Sequence, residues 1–165
     1  MPCADPRPTM RSMTRTSKPL KGADLACALC AAQGGVLAWC DAHWRVVRVE
    51  DAQFPAYYRV IAKRHTAEFT DLSAMQRQRC MSLVCSVERV LRDLLAPTKV
   101  NLAALGNLVP HLHWHVIARF DWDSHFPQSI WGLRQRDPVP DAAGRLGVPL
   151  ASLDQAVAKA MVAVS

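Results

Sequence analysis

The stretch HLHWHVIARF, residues 111–120, decides how this chain reads. His111, His113 and His115 alternate with Leu112, Trp114 and Val116. A period of two is the signature of a β-strand, whose successive side chains point to opposite faces. The pattern therefore predicts three imidazoles on one face and a packing row on the other. Residues two apart on a strand lie about 7 Å apart along the backbone. Neighbouring rings at that spacing can cooperate on one phosphate. An imidazole can attack phosphorus directly, and a second can assist near neutral pH. Imidazole, amide and backbone N–H donors can hold the charge on the oxygens. A purely structural row is one rival. The other is a zinc-dependent hydrolase, because His-x-His pairs on strands ligate zinc in some enzymes. Its expected companion, a carboxylate ligand or a further His on an adjoining strand, is not evident nearby.

Working outward, NLAALGNLVP leads into this strand from KVNLAALG (99–106), which reads as the fourth strand. Upstream lies one long helix. Ser73 and Gln76 fit a capping box. Cys80, Leu83, Val84, Val87, Val90, Leu91, Leu94 and Leu95 form an apolar face at three- and four-residue spacing, and Pro97 blocks continuation. VLAWC (36–40) and WRVVRVE (44–50) read as a hairpin around Asp41-Ala42-His43, and YRVIAKR (58–64) as the third strand. DLACALCAAQ (24–33) reads as a short helix or turn closed by Gly34 and Gly35. After Phe120 the chain reads as an irregular arm, then a short terminal helix over 151–164 capped by Ser152. The predicted fold class is α+β: a five-stranded antiparallel sheet with one long helix packed on it.

Half of the 165 residues are hydrophobic, enough for one domain with a sizeable core. No apolar run approaches the roughly 20 residues that span a bilayer, so no membrane partner is expected. The net charge of +6 sits mostly in residues 1–23, which hold five bases and one acid, against fifteen and thirteen in the rest. The body is therefore not a nucleic-acid-binding one. Residues 1–23 are too poor in aliphatics to offset ordering entropy and read as a disordered basic tail. Their Arg-rich, acid-poor composition resembles a transit peptide, but a flexible tail or a true start at Met10 or Met13 explains it better. Of six cysteines only Cys27 and Cys30 form a spaced motif, while Cys80 and Cys85 read as small buried hydrophobes. With no secretory-type segment in view, a reducing cytoplasm is the expected setting.

HLHWHVI resembles the His-φ-His-φ-His-φ-φ signature of the histidine triad family, where φ is apolar. The resemblance runs from about Asp24 to Phe120, giving a catalytic domain over 24–120 followed by the arm and helix, 121–165. It looks most like the bacterial branch labelled diadenosine polyphosphate hydrolases. The resemblance implies a homodimer that hydrolyses or transfers a nucleoside monophosphate through a covalent nucleotidyl-histidine. It further implies that His113 is the nucleophile, that His115 contacts the α-phosphate and assists the leaving group, and that the His111 carbonyl orients the His113 ring. Asn101 and Asn107 match phosphate-binding positions, and Glu50, or Asp51, the ribose position. Leu108 stands where many relatives have Ser or Thr, which removes a donor.

No cofactor is needed for that chemistry. In the related galactose-phosphate uridylyltransferases a CxxC, a His after the third strand and the first triad His bind zinc. The matching residues are Cys27, Cys30, His65 and His111. A zinc there would be structural. The alternative is two reduced cysteines packed under the sheet. Trp122 and Trp131 are candidates for a pocket wall or dimer contact. The expected function is a nucleotide phosphohydrolase or nucleotidyltransferase acting on adenine dinucleotides or nucleoside phosphoramidates. The alternative is a non-catalytic nucleotide-binding sensor or scaffold.

Overall fold

The structure is a computed structural model that describes residues 26–138 and 140–164, so the expectation for residues 1–23 lies outside the described residues. Five strands make one antiparallel sheet: β1 (Val36–Cys40), β2 (Trp44–Arg48), β3 (Tyr57–Ala62), β4 (Lys99–Ala103) and β5 (His113–Arg119). Their order is β1-β2-β3-β5-β4. The histidine strand thus lies inside the sheet, with β3 on one side and β4 on the other. Its backbone is held on both edges, which suits a strand that must present side chains rigidly.

Alternation sorts the side chains to two faces. Trp44 and Val46 of β2, Tyr58, Val60 and Ala62 of β3, and Val116 and Ala118 of β5 enter the main core. The other face carries Tyr57, Arg59 and Ile61, which pair across with Ile117, His115 and His113. The core face is closed by α2 (Ala74–Leu95). Its Ser73 cap accepts from the Gln76 N–H and the Gln76 side chain answers at the Ser73 N–H, the predicted box. Cys80, Leu83, Val84, Val87 and Leu91 are fully buried, each worth roughly 1.5–3 kcal/mol for a large side chain relative to exposure. Leu94 was expected on that face but is 43% exposed. Cys85 is exposed where Cys80 is buried, because the two lie five residues apart, about 140° round the helix.

Ahead of the sheet, α1 (Ala28–Ala31) is a single turn. Gly34 and Gly35 then swing the chain into β1, with φ of 87° and 149°. A Cβ at Gly35 would collide with the Arg48 carbonyl, so the turn needs glycine.

The terminal helix, α3 (Leu150–Ala163), starts behind Pro149 rather than at Ser152, which falls in its first turn. Proline already holds the φ the entry requires and needs no N–H there. Leu153, Val157 and Met161 repeat every four residues and are fully buried, so α3 lies beside α2 on the core face. Asp154 anchors it, accepting from Tyr58 Oη at 2.6 Å and Arg48 Nε at 3.0 Å. Of the arm between β5 and α3, Ile130 packs on the opposite face with Phe54, Tyr57 and Ile117, while Leu146 and Val148 return to the main core.

Candidate functional site

The face away from α2 holds a cavity of about 550 Å³, lined by His113 and His115 together with Leu29, Arg59, Val109 and Trp131. Its two ends differ. Leu29 and Val109 pack with Val47 and Ile61, giving an apolar end beside His113, the partner of Ile61 across the strands. At the other end are Arg59, directly opposite His115, and Trp131, whose ring lies 5.0 Å from the His115 ring. Among the described residues no carboxylate lines the cavity.

His113 is 8% exposed. Its Nδ1–H donates to the His111 carbonyl at 2.6 Å. A carbonyl only accepts, so that nitrogen carries the proton and Nε2 carries a bare lone pair. Burial pushes the His113 pKa below its ordinary value, with the His111 carbonyl opposing and Arg59 assisting. The ring is neutral, its tautomer is fixed, and Nε2 presents a lone pair.

His111 does not continue the row. It falls in the bend before β5, where Leu112 N–H donates to the Thr66 carbonyl and its carbonyl accepts from Ala62 N–H. His111 Nε2–H donates to the Ala62 carbonyl at 2.6 Å. Its Nδ1 is thereby left unprotonated, 3.4 Å from both Cys27 Sγ and Cys30 Sγ. His65 Nδ1 also lies 3.4 Å from Cys30 Sγ. The four ligand atoms lie within 4.8 Å of one another. A tetrahedral zinc with bonds of about 2.0–2.3 Å sets its ligands about 3.5 Å apart. The tautomer, the soft donors and the spacing all fit a metal. The CxxC and the two histidines that sequence matching paired are therefore one Cys/His group in space.

His115 is 4% exposed. Tyr57 Oη lies 2.5 Å from its Nδ1. Arg59 Nε and Nη2 donate to the same Tyr57 oxygen at 3.3 and 3.2 Å. With the oxygen receiving two N–H donors, its own hydrogen goes to His115 Nδ1, and His115 is protonated at Nε2. Burial, then the neighbouring His113 and Arg59, push its pKa down to about 3. His115 is a neutral hydrogen-bond donor at physiological pH.

Of the other predicted residues, Asn107 lines the cavity, as does Leu108, which is 97% exposed. Asn101 lies on His115's face but one register step away, opposite Ile117. Its Oδ1 accepts from Arg119 Nη1 at 2.7 Å, and it borders a neighbouring hollow with Trp131. Glu50 is exposed beyond the end of β2. Asp51 caps its own turn by accepting the N–H groups of Gln53 and Phe54. Trp131 does form a pocket wall, whereas Trp122 stacks on Phe120 away from the cavity.

Sequence reading missed Tyr57, Arg59, Arg119 and Asp123. Arg119 is 1% exposed and donates to Asp123, Asn101 and the Gln128 carbonyl. That cluster folds the arm back so that Trp131 meets His115. Burial pushes the Asp123 pKa up, but Arg119 and the backbone N–H groups more than offset it and hold the carboxyl below its usual range. The signal for Tyr57 and Arg59 was present in the alternation of β3. It was unusable without knowing that β3 lies beside β5.

Comparison with known proteins agrees with this geometry. Among solved structures, a histidine triad protein from Bradyrhizobium japonicum is 29% identical, covers 76% of this chain and 92% of its own, and superposes with a TM-score of 0.63. A Zn-bound histidine triad family protein from Mycobacterium smegmatis shares the fold at 23% identity, covering 84% of this chain and 98% of its own with a TM-score of 0.56. Among curated proteins, an AP-4-A phosphorylase from Mycobacterium tuberculosis is 29% identical over 84 residues, which is 47% of this chain and 43% of that protein. The match thus spans under half the length of that relative. The HIT domain family model matches residues 37–122, more than half of the chain, and with the triad, the sheet and the helix in place the protein belongs to the histidine triad family.

Proposed function

We propose that the protein is a nucleotide-processing enzyme that breaks a bond at the α-phosphorus of an adenine nucleotide through a covalent nucleotidyl-His113. The observation that carries this reading is the tautomer of His113: Nδ1–H is committed to the His111 carbonyl, so Nε2 offers its lone pair on a ring that lines the cavity. Attack forms the N–P bond and breaks the bond to the leaving group, which takes the electron pair. Water or phosphate then attacks phosphorus and breaks the N–P bond. His115 Nε2–H and the Asn107 amide supply donors for the phosphate oxygens. The similarity to an AP-4-A phosphorylase supports a dinucleoside polyphosphate among the substrates.

The test is turnover of diadenosine tetraphosphate and an adenosine phosphoramidate, with His113→Asn alongside. The variant should lose at least about 10³-fold in kcat while keeping its melting temperature. Quenching the wild-type enzyme with labelled substrate should leave nucleotide on His113. Full activity in the variant would remove the nucleophile assignment. Tight binding of adenosine monophosphate without any turnover would instead make the protein a sensor or scaffold.

We infer further that Cys27, Cys30, His65 and His111 hold a structural zinc. It would tie the first turn of the chain and the end of β3 to the bend before β5. Because the His111 carbonyl orients His113, the metal ligand and the nucleophile share one residue pair. Metal analysis should find one zinc per chain, lost in His65→Ala. The exposed edge of β4, with Leu102 and Leu105 outside the core, suits the homodimer expected for the family, which sedimentation would test.

A further inference from the structure

We propose that Arg59, braced by Tyr57, is the leaving-group subsite, and that it selects substrates whose leaving group is a phosphate chain. This rests on the nucleotidyl-transfer reading above and narrows its substrate class.

Position comes first. Arg59 lies directly opposite His115 across β3 and β5. Its guanidinium sits over the Tyr57 ring, 5.3 Å from the centroid, and Nε and Nη2 donate to Tyr57 Oη. Those bonds fix the plane of the fork. Nη1 makes no hydrogen bond among the described residues, and Arg59 has no carboxylate partner there. A side chain that lines a cavity with one edge fixed and the other edge free is built to receive a planar or tetrahedral anion. Among the described residues it is the one formal charge in the lining.

The two ends of the cavity assign the substrate's orientation. The apolar end, Leu29 and Val109 against Ile61, suits a base. His113 follows, then His115 with Arg59 and Trp131. A nucleotide laid base-first along this path places its α-phosphorus at His113. Whatever is bonded beyond that phosphorus then falls at Arg59.

The chemistry of departure points the same way. Tyr57 holds His115 in the Nε2–H form. A neutral imidazole can hydrogen-bond an oxygen, but full proton transfer from it would leave an imidazolate. An amine leaving from a phosphoramidate needs a proton on its nitrogen as the P–N bond breaks. A phosphate chain leaves with the electron pair of the P–O bond as an anion and needs none. A cation without an acid therefore matches phosphate departure. Tyr57 acts through its neighbours: it orients Arg59 and fixes the tautomer of His115, and so is a positioning residue.

The experiment uses the full chain carrying His113→Asn, chosen to bind without turnover, titrated with adenosine mono-, di- and triphosphate. The triphosphate should bind about ten- to hundredfold more tightly than the monophosphate, the range expected for a charge-assisted contact. Adding Arg59→Met should bring that ratio to within about twofold, and Arg59→Lys should retain part of it. Tyr57→Phe should convert His115 to mixed tautomers in ¹⁵N spectra, which a purely packing role would not do. Nucleotide binding with no dependence on phosphate number, or a dependence that survives Arg59→Met, overturns the proposal and leaves the nucleotidyl reading standing. Failure of the parent chain to bind any of the three overturns both. Arg59→Gln serves where the methionine variant does not fold.

Discussion

The two faces of β5 come from one seven-residue strand and are held by opposite means. On the α2 side, Val116 and Ala118 meet Leu83, Val84 and Leu91 in an apolar core. On the cavity side, His113, His115 and Arg119 are nearly as buried, yet each is fixed by directed hydrogen bonds to a carbonyl, a phenol or a carboxylate. Apolar packing is tolerant of direction and sets how stable the strand is. Directed bonds set which nitrogen carries a proton and where a ring points. The strand needs both, because side chains held to a fraction of an ångström require a floor that does not move.

Each face can be broken separately. Asp123→Ala should have the largest effect on stability, about 3–5 kcal/mol. It leaves Arg119 buried with its carboxylate gone and frees the N–H groups of Phe120, His125 and Phe126. Denaturant unfolding would measure it. The sharper reading is that Trp131 then leaves His115, so tryptophan fluorescence should respond before global unfolding. On the other face, Leu83→Ala should cost about 2–5 kcal/mol through the cavity it opens. It should leave the His113 and His115 tautomers, read by ¹⁵N NMR, unchanged. Altered tautomers in that variant would show that the two faces are coupled and defeat the contrast.

The same contrast explains how much was legible in the sequence. The α2 face is written in periodicity. Cys80, Leu83, Val84, Val87 and Leu91 announce a seam, and Ser73 and Gln76 announce its start, because helix spacing and capping are local. The five strands and their antiparallel sense followed from alternation and short turns. The triad was legible for the same reason, since three residues on one strand need no tertiary knowledge. What stayed hidden depends on which strands are neighbours. Tyr57 and Arg59 reach His115 only because β3, forty residues before β4, lies on the other side of β5. Arg119 and Asp123 sit four residues apart but meet around a turn in the arm that carries no periodic signal. Alternation alone makes His111 the third member of a row, while the family resemblance already groups it with Cys27, Cys30 and His65. It is drawn out of the strand by the Ala62 carbonyl and the two thiols, contacts that come from distant parts of the chain.

The smallest effect tests the tautomer network on the cavity side. His115 has a pKa of about 3 in the folded protein, against an ordinary value of about 6.5 when unfolded. Below about pH 6.5 the unfolded chain takes up a proton that the folded chain refuses. The unfolded state then binds more protons, so stability rises with pH across that window and falls as pH drops from about 6.5 toward about 3. The slope owed to this one group is at most about 1.4 kcal/mol per pH unit. His115→Asn, which cannot titrate, should flatten the dependence by that amount in urea unfolding at pH 5.0 and 6.0. Leu83→Ala should lower the whole curve and leave its slope alone. An unchanged slope in His115→Asn would mean that the ring takes up its proton in the fold. Tyr57 would then not hold it in the neutral form, and the directed bonds of the cavity face would set its geometry without setting its protonation.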